Sequence, residues 1–160
     1  MTTLLALDIG GTKVGWGIVE AGDTYEVTER GSIPTDAMRG GTDVAARICE
    51  LASSLVASHP SVSGVAVASA GVVNPATGDI VSATGTMPGW GGTRLGAQLD
   101  AATGLRVRVL NDVHAHGLGE ATLGAGQPYR IVLSIAVGTG LGGALVDDAA
   151  RTEGDAAIVD

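Results

Sequence analysis

The residues best placed to do chemistry begin with Asp8, which follows an apolar run and precedes Gly10, Gly11, Thr12 and Lys13. Leu5, Leu7 and Ile9 alternate with Leu4, Ala6 and Asp8, so a strand here makes the acid the last side chain on its face before the turn. Gly10 and Gly11 permit positive φ and close approach of a ligand to backbone N–H groups. Thr12 adds a hydroxyl and Lys13 a cation, and together these groups could cradle a phosphate. Asp8 could then hold the magnesium that accompanies a nucleotide, since that hard ion prefers carboxylate and water oxygens. The competing reading is a plain β-hairpin with a Gly-Gly turn, in which Lys13 is only a solvated strand residue.

Two later stretches also place polar groups at strand ends. Asn111-Asp112 closes an apolar run and precedes a helix predicted over Val113 to Leu123. Asn111 is the expected cap and Asp112 lies in the first turn, where the helix dipole favours the ionised form; ordinary capping chemistry also explains this pair. Gly138-Thr139-Gly140-Leu141-Gly142-Gly143 follows a strand predicted over Ile131 to Val137 and precedes Ala144 to Val146. This repeats the strand, glycine turn, strand layout of the first site without its acid. Gly138, Gly140 and Gly143 also fit a dinucleotide fingerprint, but that motif requires a helix next, and here apolar residues and Asp147-Asp148 follow. His114 and His116 are two apart and face different directions on a helix, so they are not read as metal ligands. His59, at a helix end forced by Pro60, has no partner evident in the sequence and reads as a solvated last-turn residue.

Positioning these groups takes an α/β frame. Val14 to Glu20 and Tyr25 to Ile33 read as two further strands, the second stopped by Pro34. Thr42 is the expected N-cap of a helix carrying Val44, Ile48, Leu51 and Leu55 on one face. Val62 to Ser69 reads as a buried strand that ends before Gly71. A long loop follows, with Met87-Pro88-Gly89-Trp90-Gly91-Gly92 as a binding segment or as a surface connection anchored by Trp90. A helix from Thr93 to Ala102 and a strand from Arg106 to Leu110 complete the frame. The expected architecture is a mixed sheet in the order βββαβαβα with helices on both faces, followed by a glycine-turn hairpin. Gly124-Ala125-Gly126-Gln127-Pro128 is the expected boundary between a lobe over residues 1–126 and the start of a second over 127–160.

Composition narrows the function classes. With 160 residues, 45% hydrophobic and 16% charged, the chain reads as a soluble globular protein, and 26 glycines without a period imply many tight turns. A net charge of −8 and 2% aromatics weigh against nucleic acid or an anionic membrane surface as partner. A bound phosphate must therefore be held by backbone and metal. Cys49 is the only cysteine, which excludes an internal disulfide and a cysteine-rich zinc site. With no basic leader and no long apolar segment, a cytoplasmic location is expected.

The three sites, in this order, resemble the ROK family of bacterial sugar kinases and repressors, within the actin-like ATPase (ribonuclease H-like) superfamily. Asp8-Ile9-Gly10-Gly11-Thr12-Lys13 is similar to its first phosphate motif and Pro88-Gly89-Trp90 to its loop before the second helix. Asn111-Asp112 with Gly119-Glu120 is similar to its catalytic motif, and Gly138 to Gly143 to its second phosphate motif. The resemblance implies an ATP-dependent hexose kinase. Asp8 would organise Mg2+, while Gly10, Gly11, Thr12, Lys13, Gly138, Thr139 and Gly140 would grip ATP. Asn111 and Gly71 would bind the sugar, and Asp112 would bind it and act as the catalytic base.

Glucose is the first expected substrate, with N-acetylmannosamine and other hexoses behind it, and the full-length protein is expected to be a homodimer. The alternative is a sugar-binding regulator of the same family. Its members normally carry an N-terminal helix-turn-helix, whereas Met1 here stands almost directly before the first strand. The family pattern continues into a Gly-Glu-x-Gly-His segment and a cysteine-rich zinc loop, which are not found here. The chain is therefore expected to be an N-terminal part, inactive alone.

Overall fold

A computed structural model describes residues 1–137 and 141–153. By packing, the chain forms two compact units, Met1–Leu110 and Asn111–Asp160. In the first, β1 (Thr2–Ile9), β2 (Lys13–Ala21) and β3 (Tyr25–Pro34) form an antiparallel meander. A 3-10 turn (Ala37–Arg39) leads to α1 (Gly41–Ser58), and β4 (Val62–Ser69) returns parallel to β1. A small hairpin, β5 (Val72–Val73) with β6 (Ile80–Ser82), and α2 (Leu95–Thr103) precede β7 (Val107–Asn111). The sheet order is β3-β2-β1-β4-β7, a mixed sheet as the sequence predicts. The β5-β6 hairpin lies inside what the sequence shows only as a turn-rich loop.

Strand alternation decides where the core lies. Leu5, Leu7 and Ile9 of β1 are registered with Ile18, Trp16 and Val14 of β2 and with Val65, Val67 and Ser69 of β4, so these residues share one face. That face packs on Val44, Ala45, Ile48, Ala52 and Leu55 of α1 and on Leu95 and Leu99 of α2. Full burial of each large aliphatic side chain contributes roughly 1.5–3 kcal/mol. Both helices of this unit therefore cover the same face of the sheet. The opposite face carries Leu4, Ala6 and Asp8, flanked by Gly15, Gly17, Ala66 and Ala68.

Helix α1 starts at Gly41 with Gly40 as its cap, and not behind Thr42 as the sequence predicts. The reason is tertiary: the Gly41 N–H donates to Pro88 O at 2.7 Å, and a Cβ at Gly41 would meet the backbone of Gly89 and Trp90. The close approach of the loop, and not a hydroxyl cap, fixes the start.

In the second unit, α3 (Asp112–Leu123) packs against a hairpin of β8 (Val132–Val137) and β9 (Leu141–Val146), and a short α4 (Asp148–Glu153) follows. Ala121 and Val146 are its buried centre, with Leu118 and Val132 against them. Gly117 allows the contact, because a Cβ there would lie 2.7 Å from the Ala144 Cβ. Packing groups α3 with the hairpin that follows it, so the compact units meet at Leu110/Asn111. The Gly124–Pro128 segment is likewise no loose connection. The Gly126 N–H donates to Glu120 O at 3.0 Å, and Arg151 donates to the carbonyls of Gly126, Gln127 and Tyr129. No helix among the described residues is long and apolar enough to cross a membrane.

Candidate functional site

Asp8 is the penultimate residue of β1 and is exposed. Its registered neighbours are Gly15 on β2 and Ala68 on β4, so small residues flank the carboxylate on both sides. Among the described residues it makes no ion pair. Lys13, by strand alternation, points to the same face and is also exposed. Gly10, Gly11 and Thr12 join β1 to β2, so the plain-hairpin reading is correct as geometry; it leaves the chemistry open. The glycines do not act there through positive φ, since neither is among the residues with that conformation. Gly11 instead contributes room, with nothing within 4 Å of the place a Cβ would take.

The turn is braced from behind by residues that carry no motif. The buried Thr35 donates its hydroxyl to Gly10 O at 2.6 Å and its N–H to Thr12 O at 3.0 Å. Arg47 of α1 donates to Thr35 O at 2.9 Å and to Pro34 O at 3.0 Å. Only the position of Thr35 directly after a strand-ending proline marks it in the sequence.

Gly71 stands just past the end of β4, beside β1, where the Ala70 N–H donates to Ile9 O at 2.9 Å. Its φ is 100°, and a Cβ would lie 2.8 Å from Ser82 O, so glycine is required for both conformation and space. The Pro88-Gly89-Trp90 loop is tied to the same strand end. The fully buried Trp90 indole donates to Ser69 Oγ at 3.3 Å and to Ala70 O at 3.1 Å. Trp90 is thus the packing anchor of the loop. Asp8, the glycine turn and Gly71 lie together at the carboxyl ends of the neighbouring parallel strands β1 and β4.

In the second unit, Asn111 caps α3 as the sequence predicts. Its Oδ1 accepts from the N–H groups of Val113 at 3.0 Å and His114 at 3.2 Å. Asp112 is the first residue of α3 and is half-buried; its Oδ1 accepts from the Val113 N–H at 2.9 Å. The positive end of the helix dipole therefore faces the carboxylate. Gly138, Thr139 and Gly140 lie outside the described residues. His59 departs from its sequence reading, because its Nε2 pairs with Glu29 Oε2 at 2.9 Å.

The donor set around Asp8 fits Mg2+. No three His, Cys, Asp or Glu residues converge to hold a metal among the described residues. Mg2+ commonly binds through one or two carboxylates, completing its shell with water and phosphate oxygens. One exposed carboxylate with small neighbours is suited to that arrangement.

The sequence profile of the ROK family matches residues 4–159. The chain is 32% identical over 151 residues to a β-glucoside kinase of Listeria monocytogenes, covering 94% of this chain and 49% of that relative. It is also similar in structure to a ROK family glucokinase from Streptomyces griseus in complex with glucose and AMPPNP. That likeness has a TM-score of 0.77 and 28% identity, over 91% of this chain and 44% of the other. A ROK family transcriptional regulator, a homologue of the E. coli MLC protein, gives a TM-score of 0.80 at 25% identity, over 91% of this chain and 37% of the other. The chain spans about half the length of the curated relatives it matches.

Proposed function

The chain belongs to the ROK family and has the actin-like ATPase fold, and from that premise we propose that it is the N-terminal part of an ATP-dependent hexose kinase. The observation that supports this most is the placement of Asp8, the glycine turn and Gly71 at the carboxyl ends of adjacent parallel strands. In open α/β sheets, ligands bind outside those ends.

In this reading Asp8 helps hold Mg2+, which when bound neutralises charge on the phosphates. Gly10, Gly11, Thr12 and Lys13 address phosphate oxygens, as would Gly138, Thr139 and Gly140. Gly71 and Asn111 bind the sugar. Asp112 accepts the proton of the attacking hydroxyl as the new bond from oxygen to phosphorus forms and the bond to ADP breaks. Such transfers depend chiefly on positioning and charge stabilisation, and a general base adds roughly a hundred- to ten-thousand-fold. Glucose is the first substrate to try. A sugar-responsive regulator is the second reading, supported by the fold shared with the MLC homologue.

The test is ADP release by a protein that joins this chain to the remaining length of its relatives, with glucose, N-acetylmannosamine and fructose as substrates. Asp112→Ala should cut turnover by about a hundredfold or more and leave nucleotide affinity nearly intact. Near-normal turnover in that variant would remove Asp112 from the mechanism. Sugar binding without ADP release would favour the regulator.

A further inference from the structure

We propose that Thr35 is a positioning residue for the glycine turn, a clip that decides which way the peptide groups of the turn face. Its value for phosphate binding rests on the kinase reading, whereas the clip itself is read from hydrogen bonds. Thr35 follows the last residue of β3 and is 1% exposed. It holds both limbs of the turn, through its hydroxyl on Gly10 O at 2.6 Å and its N–H on Thr12 O at 3.0 Å. The Gly10 N–H is itself occupied by Lys13 O at 3.0 Å.

In a trans peptide the C=O and N–H point in opposite directions. Drawing the Gly10 carbonyl towards Thr35 therefore turns the Gly11 N–H of the same peptide away from Thr35. A phosphate cradle needs that orientation set before the ligand arrives. Thr35 is fixed in turn by Arg47, which holds Thr35 O and Pro34 O and pairs with Asp36 at 3.2 Å. Asp36 has a φ of 51°, the bend that brings its carboxylate back to Arg47. Two elements distant in sequence thus brace one three-residue turn.

The experiment measures amide hydrogen exchange at residues 10–13, and Mg·ATP affinity by calorimetry, in the 160-residue chain and its Thr35→Val, Thr35→Ser and Arg47→Gln variants. Valine keeps the shape and loses the donor. Exchange at the turn should quicken about tenfold, the typical consequence of one lost hydrogen bond, while the interior amides of β1 stay protected. Mg·ATP affinity should fall by a similar factor, and serine should restore both. Unchanged exchange at the turn in Thr35→Val overturns the clip, and so does an equal loss in Thr35→Val and Thr35→Ser, which marks packing alone. Should the valine variant fail to fold, Arg47→Gln decides: quickened exchange confined to the turn supports the brace, and unchanged exchange refutes it. If Mg·ATP does not bind the parent chain, the affinity comparison passes to the protein that joins it to the remaining length of its relatives, where absence of binding overturns the phosphate reading; the clip itself stands or falls on exchange.

Discussion

His59 and Glu29 tie the end of α1 to the edge strand β3. The Nε2 of His59 lies 2.9 Å from Glu29 Oε2, and its Nδ1 lies 2.8 Å from Leu55 O. Both partners are acceptors, so both ring nitrogens can donate only in the imidazolium form. The Leu55 carbonyl first, and then the Glu29 carboxylate, hold the His59 pKa above its ordinary value, against a small opposing effect of desolvation.

The sign of the pH dependence follows. A raised folded-state pKa adds stability that is fully present below the unfolded value of about 6.5 and is lost as pH rises through the folded value. Thermal unfolding followed from pH 5.5 to 9, values spanning roughly that range, should show a small decline in midpoint that His59→Gln removes. The pair is solvent-exposed, so the change will be modest. An identical pH profile in the variant would show that the clasp does not titrate.

Helix α3 offers a matched pair of substitutions. Gly117→Ala places a methyl 2.7 Å from the Ala144 Cβ and 3.2 Å from the Ser134 Cβ, whereas Gly119→Ala meets nothing within 4 Å. Alanine is favoured over glycine in a helix by about 0.8–1 kcal/mol, and overpacking costs about 1–3 kcal/mol. Urea unfolding should therefore find Gly119→Ala stabilised and Gly117→Ala destabilised. A stabilised Gly117→Ala would mean that α3 and β9 separate easily.

How much of this was legible in the sequence depended on whether the signal was local. The strand β4 was readable to its last residue because its apolar run is bounded at both ends. Asn111 was readable as a cap because capping is a contact between near neighbours. The start of α1 was not, because Thr42 advertised a cap while the deciding contact comes from Pro88, far along the chain. Thr35 and Arg47 are not legible for the same reason, since the hydrogen bonds that brace the turn run to backbone carbonyls and leave no pattern of side-chain types. The His59 pair spans α1 and β3, a proximity that periodicity cannot supply.

Trp90→Phe keeps most of the buried ring and deletes the donor to Ser69 Oγ and Ala70 O. Ala70 O still accepts from the Ser69 hydroxyl at 3.0 Å, so the loss is that of an ordinary hydrogen bond, about 0.5–1.5 kcal/mol. Chemical denaturation should register that loss with little change in the slope of the transition. A variant as stable as the parent would show that the loop is held by packing alone.

The outer face of the β8-β9 hairpin is apolar and uncovered among the described residues. Ile131, Leu133, Ile135, Val137 and Leu141 are all exposed, Val137 at 82% and Leu141 at 76%. Such a face drives association. Light scattering of the 160-residue chain should detect oligomers that Leu133→Lys with Ile135→Thr reduces. A parent chain that is monomeric at high concentration would contradict this.

The chain has two tryptophans, and they occupy unlike surroundings. Trp16 is half-buried across β2 and β3, its indole filling the space over Gly31, while Trp90 is sealed beneath the loop it anchors. Nature has therefore installed two fluorophores of different colour and different exposure to quenchers. The inner one belongs to that loop and is hydrogen-bonded to the carboxyl end of β4, so its light reports directly on whether the loop is seated.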